Sequence, residues 1–425
     1  MRRGVREWLV LAGTLVVVFG GLSLFGLMSP DHALRGTYLL GVAMTVAIYA
    51  LLALGLSVEM GYAGLLNFGH VAFMGLGAYG AAVFVLKQRD AVVPALQGAQ
   101  PWAFAVIALI ALCLGFLVYA LALQVAQRFA KRRRVAIGIA AALGLAAAIY
   151  AGATMYPLGP RGALNATVFL GVLIGIAAST LAGLVVGLAG LRLREDYLAI
   201  ATLGFSQVVF LLTLNEADIT NGSQGIQSVP RPIFDWATHT QWMKDLAKHW
   251  NVLPTGLANA AMGILCVAIA FVLLETLARA PWGRVLKAIR EDEDVAASLG
   301  KNALLYKLQA LMIGSALAAV AGILFIWNVA SVVPEDFLAI VTFYSFAILV
   351  LGGVGNHKGA IVGAILIWGI FELAGNLTSL PFFTQHHIAF AGPPQAILVG
   401  LVLILVVMLR PQGLVGSKEE MSLGK

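Results

Sequence analysis

A chain of 425 residues that is 60% hydrophobic and only 11% charged cannot cover a soluble surface, which draws on roughly a quarter of a globular chain for charge. The net charge of +7 points to membrane orientation rather than nucleic acid, because the basic residues gather at the ends of apolar runs. Cys113 and Cys266 both sit inside such runs, which excludes a disulfide framework.

In chain order the apolar runs cover residues 8–28, 37–60, 68–86, 102–123, 135–156, 167–190, 197–215, 254–277, 308–328, 339–354, 360–380 and 394–409. A helix of about 20 such residues crosses a hydrocarbon core of roughly 30 Å. The runs are continuous rather than alternating, which rejects a β-barrel. The expected fold is therefore an all-α polytopic integral membrane protein, a bundle of about 10–12 membrane-embedded helices. The glycine-rich third and tenth runs are candidates for broken or re-entrant half-helices. Arg2, Arg3 and Arg6 precede the first run, which is too long for a signal-peptide core and has no clear small-residue cleavage site. With the N-terminus in the cytoplasm and the runs alternating, 20 of the 27 lysines and arginines fall inside and 7 outside. That bias predicts two cytoplasmic termini.

Two loops stand out. The outer one, 216–253, carries Trp236, Trp242 and Trp250 and is expected to hold a helix on the membrane surface. The inner one, 278–307, contains GRVLKAIREDEDVAASLG, Gly283 to Gly300, whose spacing predicts a single helix of about four turns. Pro281 suits its start and Gly300 its C-terminal cap. Leu286, Ile289, Ala296 and Leu299 can share one face, with Arg284, Lys287 and Arg290 on another. Such a helix either docks into a groove on a soluble partner or lies solvated at the surface. Among acidic residues, Glu59 and Glu372 are placed nearest the membrane interior, where charge is costly and often functional. Glu59 is near enough to a cytoplasmic end to reach water by snorkelling; Glu372 is deeper. Gly61, Gly64, Gly69, Gly75, Gly77 and Gly80 suit either close helix packing or a helix broken at membrane depth. The chain has no GxxxxGK[ST] phosphate loop, no GxSxG, no HExxH and no metal-ligand spacing among its histidines.

The inner loop resembles the EAA loop of bacterial ABC import permeases, with Asp294, Val295 and Ala296 in the Glu-Ala-Ala places and Gly300 following. LRLREDYLAIATLGFSQVV (Leu191 to Val209) is similar to a signature of the LivM family, the membrane subunits of high-affinity branched-chain amino acid importers. So are LALGLSVEMGYAGLLNFGHVAFMGLGAY (Leu52 to Tyr79), ITNGSQGIQSVPRP (Ile219 to Pro232), PEDFLAIVTFYSFAILVLGGVGNHKGAIVGA (Pro334 to Ala364) and RPQGLVG (Arg410 to Gly416). The chain departs from the family at Glu59, where Asn is usual, and at Glu195, where Gly is usual.

The resemblance implies one transmembrane permease domain, 1–425, in a bacterial inner membrane. It would have no catalytic residue, metal or cofactor of its own, and ATP would be bound by partner subunits. Those partners would be a LivH-like permease, two cytoplasmic ATP-binding subunits and a periplasmic substrate-binding protein, with no nucleic acid involved. Coupling to the ATPase would fall to Arg284, Lys287, Arg290, Asp294, Ala296 and Gly300. The candidate translocation path comprises Asn67, His70, Gly75, Gly77 and Glu372. Leu, Ile and Val are the implied substrates. Urea, short amides or other amino acids are the alternatives, as is a stand-alone secondary transporter.

Overall fold

The computed structural model describes residues 12–14, 18, 32–97, 160–193, 195–377 and scattered positions of 397–415. The runs expected at 102–123 and 135–156 lie outside the described residues, as do most of 8–28 and 394–409. Two compact units are present: Met1–Gly80 with Gly175–Lys425, and Ala81–Ile174. The smaller unit contains the later part of one long helix and the beginning of the next.

Nearly every described element is helical. α1 (His32–Leu56) passes directly into a π-helical turn, Ser57–Tyr62, and is followed by α2 (His70–Gln97), α3 (Pro160–Gly190) and α4 (Glu195–Asn215). A two-residue strand β1 (Ile226–Gln227) precedes α5 (Pro232–His239) and α6 (Gln241–His249). Then come α7 (Pro254–Arg279), α8 (Pro281–Glu291), α9 (Glu293–Ser298), α10 (Ala303–Val329), β2 (Ser331–Val332), α11 (Ala339–Gly352) and α12 (His357–Leu377). Prolines at the first positions of α7 and α8 start those helices where a missing N–H costs nothing.

α1 is apolar on all sides, and such a helix belongs at the centre of a bundle. Met44, Ile48, Leu51, Leu52 and Leu54 on it are fully buried, and α7, α10, α11 and α12 pack around it. Where lipid surrounds a bundle, association rests on close packing rather than on escape from water. Small residues accordingly mark the contacts: Gly183 meets Ser315, Gly187 meets Leu308 and Leu311, and Gly322 lies on the backbone of Met74. The outer faces are apolar too, with Leu181 and Val185 on α3, Ile200 and Val208 on α4, and Ile264 and Leu265 on α7 all exposed. Six helical segments among the described residues are long and apolar enough to cross a membrane. Together these features make the chain an all-α, multi-pass membrane protein.

The third run lies in α2, a continuous helix of 28 residues, of which only the stretch His70–Leu86 is apolar, shorter than the six segments long enough to cross. The tenth gives the 14-residue α11, which together with the turn before it makes up the 19-residue apolar segment Pro334–Gly352, one of the six long enough to cross. Two ends of the larger unit can be told apart. Antiparallel pairing of Ile226 with Val332 and of Gln227 with Ser331 ties the segment after α4 to the segment after α10. At the opposite end, α8 lies against the π turn that closes α1.

Candidate functional site

The inner loop forms two helices rather than one. The break is at Asp292, which is extended (φ −157°, ψ 109°) and whose carboxylate accepts from the Val295 N–H at 2.9 Å. A short acidic side chain competes with helix continuation by capping the next helix. α9 ends as the glycine suggested. Gly300 is left-handed at φ +76°, and its N–H reaches the Ala297 carbonyl while that of Lys301 reaches Ala296, a Schellman closure. Leu286, Ile289 and Ala296 are buried as expected, whereas Leu299 is 74% exposed because the break turns α9 away from the face of α8.

The six expected coupling residues divide. Arg284, Asp294 and Gly300 are exposed, and Ala296 is packed beneath them with Ile289 and Ala303. Lys287 and Arg290 face back into the chain. The Arg290 guanidinium donates to the Gly61 carbonyl. Its stem lies so close to Gly64 that a Cβ there would come within 2.9 Å of Arg290 Cγ, and Gly64 is itself left-handed at φ +73°. The Lys287 ammonium stands 4.8 Å above the Tyr62 ring, a cation–π contact. Tyr62 stacks on His357 with centroids 4.9 Å apart, and His357 Nδ1 is 2.8 Å from Ser57 Oγ. α8 is thereby fixed to the turn Ser57–Tyr62 at several points.

That turn is also what aims Glu59 inward. Snorkelling is not what the structure shows: Glu59 is 0% exposed, because the extra residue of a π turn rotates its side chain off the helix surface. Asn67 Nδ2 donates to Glu59 Oε2 at 2.8 Å, and His70 Nδ1 lies 3.3 Å from the same oxygen. The other oxygen, Oε1, sits against Gly314 and has no hydrogen-bond partner among the described residues. The His70 nitrogens make no aligned hydrogen bond there either. A polar group buried without its hydrogen bond costs about 1–3 kcal/mol, and the cluster carries such unmet groups at Glu59 Oε1 and on the His70 ring.

The cluster stands at the start of α2, whose first N–H groups have no partner within the helix and cannot be left bare in a membrane. Hydroxyls from two other helices supply what is missing. Thr202 on α4 accepts from Phe68 N at 3.1 Å, and Thr342 on α11 accepts from Val71 N at 3.0 Å. Neither threonine stands out in the sequence, since each is a lone hydroxyl in an apolar run.

The candidate path residues are therefore not all together. Asn67 and His70 meet around Glu59. Gly75 and Gly77 serve close packing, against Phe337 and Ala319 respectively. Glu372 is at the other end of α1, where it accepts from the Tyr38 hydroxyl at 2.6 Å.

The chain matches the family described as "Branched-chain amino acid transport system / permease component" over residues 38–128 and 129–408. It is 33% identical over 245 residues to the high-affinity branched-chain amino acid transport system permease protein LivM of Salmonella typhimurium, covering 56% of this chain and 54% of that one. Against LivM of Escherichia coli the identity is 32% over 245 residues, covering 55% and 54%. Against the probable LivM of Methanocaldococcus jannaschii it is 28% over 265 residues, covering 60% and 72%. The chain spans about half the length of the first two relatives. No solved structure matches it. The match across most of its length establishes that the chain belongs to the branched-chain amino acid transport system permease family.

Proposed function

We propose that this chain is the permease subunit of an ATP-driven importer and passes leucine, isoleucine and valine across a bacterial inner membrane. The observation that carries the reading is Arg290, which reaches from a helix with an exposed outer face to the backbone of the turn that holds Glu59. In this scheme both termini and α8–α9 are cytoplasmic. Two separate ATP-binding subunits seat on the outer face of α8–α9 around Arg284, Asp294 and Gly300. A LivH-like permease lies alongside in the membrane, and a periplasmic binding protein delivers substrate at the end bearing α5–α6. The chain contributes no catalytic group, cofactor or metal.

Closure of the ATPases displaces α8. Arg290 and Lys287 carry that displacement to Gly61 and Tyr62, and the π turn carries it to Glu59. Asn67 and His70, bonded to or beside that carboxylate, then shift the first turn of α2. Access to the path alternates as these helices move as rigid groups. The names of the LivM, LivH and BraD relatives support branched-chain amino acids as the substrate.

Reconstitution in liposomes with partner permease, ATPases and binding protein tests the reading through uptake of labelled leucine. Uptake that requires both ATP and the binding protein is expected, with competition by valine and not by urea or short amides. A second reading, a stand-alone secondary transporter, draws on the Glu59–His70 pair at membrane depth, since carriers place such groups on ion paths. Leucine flux without ATP or partners would favour that reading over the first.

A further inference from the structure

The segment between α4 and α7 folds into an elbow whose surface is unusual. Trp236, Trp242 and Trp250 are 44%, 57% and 66% exposed, and Leu246 and Leu253 are exposed beside them. Trp236 and Trp242 meet edge to face at 5.6 Å. The elbow is nevertheless firmly attached. Met243 and Ala247 turn inward on α6, and Ala237 and Met243 pack with Ala258 of α7, flanked by Ile233 and Leu257. α6 is thus divided across its width. At 100° per residue, Trp242 and Leu246 project to one side of the inward face, while Lys244 and Lys248 project opposite them, exposed.

Depth and position on the bundle both bear on what covers the tryptophans. Leu253 N donates to Thr37 Oγ1 at 3.1 Å, next to the start of the apolar segment Gly36–Tyr62. That segment has 27 residues, about 40 Å of helix against a core of roughly 30 Å, so it is long enough for its first turn, with Thr37, to reach the headgroup layer. The elbow therefore stands at headgroup depth. Around the bundle, it rests on Leu257 and Ala258. Two helical turns further along α7 the same face presents Ile264 and Leu265, both exposed. The elbow continues an outward apolar face at its outer rim and does not cover the bundle centre, where a delivered substrate would enter.

We propose that α5–α6 is an interfacial anchor seated in the lipid bilayer, with Trp236, Trp242, Leu246 and Trp250 at the boundary of headgroups and acyl chains. Lys244 and Lys248 on the far side face phosphates and water. Indole suits that boundary because its ring is apolar and its N–H finds a partner there. Anchored in this way, the elbow holds the N-terminal end of α7 at fixed depth while the opposite end, next to α8, moves.

The test is nitroxide accessibility in the full chain, with Cys113→Ser and Cys266→Ser as background, in phosphatidylcholine–phosphatidylglycerol vesicles. Labels at 242 and 246 are expected to collide with oxygen several-fold more than with a water-soluble nickel chelate, and labels at 244 and 248 to show the reverse. Equal nickel access at all four sites overturns the proposal. So does a label at 242 that sits in water and is masked only when a periplasmic binding protein is added. Should labelled variants fail to fold, quenching by lipids brominated near the acyl carbonyl is measured on the unlabelled chain and on Trp242→Phe. Loss of part of the quenched emission in the variant is expected, and unchanged quenching contradicts the anchor.

Discussion

Glu59 is held by one amide, crowded by one glycine and denied water, and each of these relations can be tested separately. A Cβ at Gly314 would strike Glu59 Oε1, and the carboxylate could make room only by giving up Asn67. Gly314→Ala should therefore destabilise the chain by about 1–3 kcal/mol through overpacking. Glu59→Ala should cost about 1–3 kcal/mol by stranding the Asn67 amide in the interior. Thermal unfolding of the double variant should fall short of the sum by about 0.5–3 kcal/mol, since the two sites touch. Strict additivity would show that they do not. The sequence made Asn67 and His70 legible as polar residues in a glycine-rich approach, and it left Glu59 open between burial and snorkelling, of which the structure shows burial. Nothing in SVEMGY signals a π turn, and without that turn a glutamate near a helix end would be expected to reach for water. The Arg290–Gly61 bond joins residues 229 apart in sequence, a separation over which no local pattern carries information.

At the scale of elements, most of the apolar runs that are described became helices within about five residues of their expected ends, because length and continuity of apolar composition leave a chain in lipid few other options. By contrast, α2 runs on to Gln97 and α3 begins already at Pro160. α8–α9 was harder to read. Its ends followed from Pro281 and Gly300, yet its division at Asp292 did not, although a cap residue three positions before a satisfied N–H was present. The hinge has a purpose in the proposed mechanism: α8 is bonded inward while α9 presents an outward surface. Gly300→Pro would remove the N–H bonded to Ala297 and demand a φ near −65° where +76° is observed. The assembled importer should then hydrolyse ATP without uptake, with the chain inserted in the membrane as before. Normal uptake in that variant would remove α9 from the coupling route.

Taken whole, the larger unit has α5–α6 at one end of α7 and α8–α9 at the other, and the distribution of basic residues predicts that the α8–α9 end is the cytoplasmic one. Single cysteines at Lys244 and Glu291, both exposed, should react with a membrane-impermeant reagent from opposite faces of intact cells and inverted vesicles. Labelling of both from one face would refute the topology. In the proposed mechanism, motion passes from α8 through the π turn to the start of α2, and Arg290 is its first link. The most direct measurement is the ratio of leucine uptake to ATP hydrolysis in the reconstituted importer with Arg290→Ala. A hydrogen bond from a charged donor contributes about 1.5–3 kcal/mol. Uptake per ATP should therefore fall about tenfold to a hundredfold, with hydrolysis maintained and partial recovery in Arg290→Lys. An unchanged ratio in Arg290→Ala would contradict the account.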